Sequence, residues 1–276
     1  MNVQEYIQRR RKGRGRWLIE PIIGVGHNLL IYGQKGEGKS LLAWEIARAV
    51  ARGAKLFGKF QATLGKVIIV DEETSELDFE DRVTWTFVGS KRLAANVYMW
   101  PRPQQSGFCF DDDNWLARLK AEIDRFQPKL LIVDNLSATA GKLEFESSNT
   151  KVGRLRQICT YLRQNCKDLV IVIIHHEGKD KARGPRGSSA LGDMSDTEIE
   201  VTRVWDEPFR FAVTQKPRKR PVGSRPFIVE LRKKGNGWGL KYLGVEENIE
   251  LPKEEDILMA EHFVVAVPRG EERSIE

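Results

Sequence analysis

The chain has 276 residues, 41% hydrophobic and 30% charged, which is enough for one large core and suits a soluble globular protein. No apolar run approaches the ~18 residues of a membrane span, and the short stretch from Trp17 to Val25, broken by Glu20 and Pro21, argues against a secretory signal, so a cytoplasmic location is expected. The net charge of +6 hides an uneven distribution. Residues 245–276 hold 10 acidic and 3 basic groups, while residues 1–244 hold 42 basic and 29 acidic, as for a protein that meets a polyanion, nucleic acid first.

In chain order, residues 1–17 read as a basic flexible arm, with Arg9, Arg10, Arg11, Lys12, Arg14 and Arg16 among glycines. Residues 18–244 read as one domain and 245–276 as an acidic tail. The apolar run Leu29 to Tyr32 predicts a buried strand. Leu41, Leu42, Ile46 and Val50 predict a helix from Leu41 to Arg52. Strands follow at 66–70, 96–100, 130–133 and 169–174, alternating with helices at 76–88, 115–126 and 149–166. This alternation implies right-handed βαβ units and an α/β fold with a mostly parallel sheet flanked by helices. The runs Val-Ile-Ile-Val, Leu-Leu-Ile-Val and Val-Ile-Val-Ile-Ile are apolar on both faces, as central parallel strands require. Asp111 to Asn114 predicts a helix cap before Trp115 rather than a metal cluster. Beyond residue 174 the pattern changes to a glycine-rich basic stretch, 177–193. Four runs then read as antiparallel strands at 199–204, 209–214, 226–231 and 238–243. Cys109, Cys159 and Cys166 form no C-x-x-C pair and read as reduced packing residues.

The segment Gly33-Gln34-Lys35-Gly36-Glu37-Gly38-Lys39-Ser40 fits the phosphate-loop pattern G-x-x-x-x-G-K-[ST], and it lies between the strand and helix that the pattern needs. Glycines let backbone N–H groups close around phosphate oxygens, and the helix N-terminus adds a favourable dipole. Residues Gly33 to Leu41 are therefore the expected ATP contacts. Lys39 reaches the β- and γ-phosphates and Ser40 holds Mg²⁺, while Lys35 occupies a variable position and reads as solvated. Asp134, at the end of the strand 130–133, is placed to hold the Mg²⁺ water shell. Asp71-Glu72-Glu73 ends another strand. Glu72, with Glu73 the alternative, is expected to orient and deprotonate the attacking water. His175-His176 ends a third strand, where a histidine can hydrogen-bond the γ-phosphate or be a satisfied residue at the edge of the core.

These motifs, and above all the stretch from His175-His176 to Arg186-Gly-Ser-Ser-Ala-Leu191, resemble the RecA-like ATPases of the RepA branch. These are ring-shaped hexameric replicative helicases related to DnaB-type helicases, RadA and KaiC. The resemblance spans residue 18 to about 243. It implies that Glu72 is the catalytic glutamate, Asp134 the magnesium aspartate and His176 the sensor of hydrolysis. It also implies that a neighbouring subunit completes each ATP site. Lys216 and Arg218 match the trans-acting basic pair, with Arg186 an alternative. Lys179, Lys181, Arg183 and Arg186 then face single-stranded DNA or a fork, through mostly electrostatic contacts. The expected partners are further copies of the chain in a hexamer, DNA, and a replication protein at the acidic tail. Two alternatives stand beside the helicase: a recombination or repair ATPase of the RecA/RadA kind, and a nucleotide-switched loader that does not unwind.

Overall fold

A computed structural model describes residues 2–5, 17–87, 93, 95–101, 107–141, 149–176, 190–204, 207, 209–217, 226–234 and 237–245. Strand β1 (Trp17–Ile19) pairs with β2 (Ile23–Gly24) in a small hairpin ahead of β3 (Asn28–Gly33) and helix α1 (Lys39–Arg52). A second hairpin, β4 (Lys55–Leu56) with β5 (Phe60–Gln61), leads to β6 (Val67–Asp71), α2 (Glu76–Phe87) and β7 (Val97–Pro101). Then come α3 (Asp113–Phe126), β8 (Leu130–Asp134), the single turn α4 (Leu136–Thr139), α5 (Asn149–Leu162), β9 (Val170–His176) and α6 (Ala190–Met194). Four strands close the sequence of elements: β10 (Thr197–Arg203), β11 (Arg210–Pro217), β12 (Phe227–Lys234) and β13 (Gly237–Gly244).

Nine strands form one sheet in the order β13-β12-β11-β10-β3-β9-β8-β6-β7. From β10 to β7 every neighbouring pair is parallel, and β11 to β13 continue the sheet antiparallel. The carboxyl ends of the central strands lie at one edge, where Asp71 pairs with Asp134 and, two residues further along, Gly33 pairs with His176. That edge of an open α/β sheet is where ligands bind, because the loops there open between the covering layers.

The strands bury both faces. On one side Ile31, Ile69, Ile132 and Val172 pack with Trp44, Ile46 and Val50 of α1. On the other, Leu30, Val70, Leu131 and Val133 pack with Leu116, Leu119 and Ile123 of α3 and Leu155 and Ile158 of α5. Burying each of these aliphatic side chains stabilises the fold by about 1.5–3 kcal/mol. Asp112 caps α3 as the sequence predicts, its carboxylate accepting hydrogen bonds from Asn114 N at 2.8 Å and Trp115 N at 3.3 Å. Among the described residues no helix is long and apolar enough to cross a membrane.

Two expectations change. Strand β10 runs parallel to β3, not antiparallel, so the parallel part of the sheet extends one strand further. The chain enters β10 at the edge where β3 begins, with Asp196 N bonded to Asn28 O at 2.9 Å and Asn28 N to the Asp196 carboxylate at 2.8 Å. Helix α5 stops at Leu162, although apolar spacing continues to Cys166. The Arg163 guanidinium leaves the helix to reach Leu169 O, His27 O and Asn28 Oδ1, at 2.8, 2.8 and 2.6 Å, which ties the following turn to the start of β3. Residues 6–16 of the expected arm and 246–276 of the expected tail lie outside the described residues.

Candidate functional site

Strand β3 delivers the chain to this edge of the sheet, and Gly33 turns it into the loop before α1. Gly36 and Gly38 both adopt φ 84°, the left-handed region that favours glycine. Gly38 caps α1 without a side-chain hydrogen bond, and no acidic residue sits in the first turn. The helix therefore presents its first N–H groups and the positive end of its dipole to the loop, an arrangement suited to an anion. Lys39 is buried on the first turn, and its ammonium donates to Gln34 O at 2.6 Å, across the loop. The Glu37 carboxylate accepts from Gln34 N at 2.8 Å. Ser40 and Leu41 complete the first turn of α1.

Asp134 ends β8 fully buried, and neither carboxylate oxygen has a hydrogen-bond partner among the described residues. Its pKa is pushed up to about 7, first by burial and then by the neighbouring Asp71 charge, against the pull of the Ser40 hydroxyl and Arg82. A buried carboxylate with open oxygens, beside a hydroxyl on the phosphate-loop helix, fits Mg²⁺, which binds through one or two protein oxygens together with substrate phosphates. When bound, the ion would neutralise charge on those phosphates. Asp71 is also fully buried, but its oxygens are occupied. They accept from Glu73 N and Thr74 N at 3.1 and 2.9 Å and from Thr74 Oγ1 at 2.8 Å, which shapes the turn after β6.

That turn separates the two candidate bases. Glu72 is buried, and its Oε1 accepts from Phe108 N at 3.1 Å, on the β7 side of the sheet. Glu73 faces the phosphate loop. Its carboxylate accepts from Asn135 Nδ2 and lies 3.6 Å from His176 Nε2. The His176 hydrogen bond is the largest influence holding Glu73 below the usual carboxylate range; Asn135 and the Lys39 charge add to it. Asn135 Nδ2 is also 3.2 Å from His176 Nε2, while its Oδ1 accepts from Ala138 N at 2.9 Å and so caps α4. The three strand ends thus join Glu73, Asn135 and His176 in one polar cluster. His175 is buried in the strand.

Sequence reasoning missed Asn135, although its place beside Asp134 at a strand end was a usable signal. It also missed Arg82, for which there was none. Arg82 comes from α2, reaches Asp71 Oδ2 at 3.4 Å and Asp134 Oδ2 at 3.7 Å, and stacks on the Trp44 ring at 5.3 Å. Lys216 lies in β11, opposite Glu198. Its ammonium donates to Glu200 at 2.6 Å and to the Tyr32 hydroxyl at 2.7 Å. Burial opposes the Lys216 charge, but these two bonds outweigh it and hold its pKa above the usual lysine value. The Tyr32 hydroxyl is pushed up to about 12, mainly by burial. Arg218, Lys179, Lys181, Arg183 and Arg186 lie outside the described residues.

Comparison with known proteins bears on the fold and the family. Residues 6–182 match the family described as an AAA domain. No curated protein matches the sequence. Among solved structures, the RadB recombinase superimposes with a TM-score of 0.52 at 16% identity, over 78% of this chain and 90% of that one. A KaiC-like protein from the hyperthermophilic archaeon Pyrococcus horikoshii superimposes with a TM-score of 0.54 at 15% identity, over 81% and 93%. The phosphate loop and the shared sheet architecture converge on one assignment: the chain belongs to the AAA domain family and has a RecA-like α/β fold.

Proposed function

We propose that this chain is a self-associating, DNA-stimulated ATPase motor, in the manner of the RepA-like replicative helicases its motifs resemble. The observation that carries this reading is the cluster of Glu73, Asn135 and His176 beside the phosphate loop. His176 is the last residue of β9, and the sequence runs from it directly into the basic stretch with Lys179, Lys181, Arg183 and Arg186. A change in γ-phosphate contacts at His176 is thereby passed to residues suited to a nucleic-acid backbone.

In this reading Lys39 and the loop from Gly33 to Leu41 hold the phosphates, and Ser40 and Asp134 hold Mg²⁺. Glu73 takes the proton of the attacking water, and Glu72 holds the loop at Phe108. A basic residue of a neighbouring copy, Arg218 or Arg186, stabilises charge on the transferring phosphoryl group. Lys216 supports this arrangement from within its own chain, through Tyr32 and Glu200.

The test is ATP hydrolysis with and without single-stranded DNA, with Lys39→Ala as control. Strong stimulation that Lys39→Ala abolishes supports the motor, and forked-duplex unwinding then asks whether it is a helicase. Hydrolysis indifferent to DNA rejects the motor in favour of a nucleotide-switched loader. A second reading, a recombination ATPase, draws support from the likeness in fold to the RadB recombinase. Electron microscopy on DNA separates the two, because a heterologous contact either closes into a ring or continues as a filament.

A further inference from the structure

The phosphate loop is braced from the side by β10 and β11, two strands that carry no nucleotide-binding motif. Gly33 lies so close to β10 that a Cβ on it would come 2.3 Å from Val201 O. Gly38 lies against β11, where a Cβ would come 2.8 Å from the Phe211 ring. Between these contacts Arg203 Nη2 donates to Gly36 O at 2.8 Å. Arg203 and Phe211 are cross-strand partners, so one rung of the sheet supplies two side chains that touch the loop. Phe211 is buried in the core on the α1 side, which anchors that rung.

A phosphate loop works by directing peptide N–H groups toward the anion, which sends carbonyl groups the other way. Of the three loop glycines, Gly36 has the least support from neighbouring strands. Its φ is 84°, and a Cβ there would meet nothing within 4 Å, so no neighbour packs against its Cα as Val201 and Phe211 do at Gly33 and Gly38. Arg203 holds this peptide at its carbonyl. At the other end of the same peptide, Glu37 N points across the loop to Gln34 O, 3.4 Å away, the oxygen that also receives Lys39.

We propose that Arg203 is a positioning residue for nucleotide binding, holding the Gly36–Glu37 peptide in the orientation that the phosphates require. The inference rests on reading residues 33–41 as the nucleotide site. Arg203 acts through the loop backbone, so its loss weakens binding more than turnover.

The experiment compares wild type, Arg203→Gln, Arg203→Lys and Lys39→Ala. It measures MgADP affinity by calorimetry, steady-state KM and kcat for ATP, and the melting temperature without nucleotide. Arg203→Gln is expected to bind MgADP about fivefold more weakly and to raise KM similarly, the effect of one partly exposed charge-assisted hydrogen bond. Its kcat and melting temperature are expected to stay near wild type, and Arg203→Lys to recover most of the affinity. Unchanged MgADP affinity in Arg203→Gln overturns the proposal, whether or not the melting temperature falls. A lowered kcat with unchanged KM also overturns it, placing Arg203 in the reaction itself. If wild type binds MgADP no better than Lys39→Ala, the nucleotide reading falls first and this inference with it.

Discussion

At the tip of β6, a single step along the chain sends two glutamates in different directions. Glu72 satisfies a buried backbone N–H at Phe108, and Glu73 faces Lys39, Asn135 and His176. Glu73→Gln should therefore bind ATP and hydrolyse it at least ~100-fold more slowly, the usual scale for loss of a general base. Glu72→Gln should keep a larger share of activity and loosen the loop at Phe108. If single-turnover rates fall in Glu72→Gln and hold in Glu73→Gln, the base is Glu72. Asp134 makes a separate point about pH. Its folded pKa of about 7 lies above the ordinary value near 3.9, so its contribution to stability is intact below about pH 4 and is lost as pH rises through 7. Asp134→Asn should accordingly raise the melting temperature at pH 8, with the gain shrinking toward pH 4, while abolishing magnesium-dependent hydrolysis. A gain that is flat across this range would rule out the buried charge as its cause.

Helix α1 links the phosphate loop to the core, and Trp44 is its main anchor. The ring is fully buried, with Phe79 edge-on at 5.4 Å, Phe87 at 5.6 Å and the Arg82 guanidinium over its face. Trp44→Ala leaves a large cavity and should cost about 3–5 kcal/mol, read from urea unfolding. Trp44→Phe should lose far less, and a similar loss in both would mean that ring volume is not what matters. Strand β11 shows the opposite balance. Lys216 is half-exposed, and its bonds to Glu200 and Tyr32 close a polar patch on the sheet. Lys216→Ala should change stability by no more than about 1 kcal/mol, as for other partly solvated pairs. A larger effect on ATP turnover than on stability would assign Lys216 a role beyond its own strand.

The basic body suggested by composition bears on the molecule as a whole. If DNA enters the working cycle through Lys179, Lys181, Arg183 and Arg186, stimulation of hydrolysis should fall steeply between about 50 and 200 mM salt, by roughly 10³-fold in affinity if six phosphates are engaged. Weak salt dependence would point away from backbone contacts. Self-association has its own test: mixing Arg218→Ala with Glu73→Gln should restore part of the activity that each variant lacks, because one copy then supplies the arginine and the other the base. No recovery at any ratio would argue that each chain completes its own site.

The sequence by itself determined the phosphate loop, the buried strands that carry it and the aspartate on β8. These depend on contiguous residues, and glycine spacing, apolar runs and strand-end carboxylates act through local backbone geometry. Only the tertiary structure decided which glutamate faces Lys39, because Glu72 and Glu73 are equivalent until the Phe108 N–H captures one of them. The direction of β10 was equally hidden. It is set by pairing between Asn28 and Asp196, 168 residues apart. Asn135, Arg82 and Arg203 carried no motif, because each owes its place to a partner on another element: Glu73 and His176, Asp71 and Trp44, and the Gly36 carbonyl. A linear pattern records what a segment can form. Which side chains converge at the edge of a sheet depends on long-range hydrogen bonds and packing that exist only once the strands are in order.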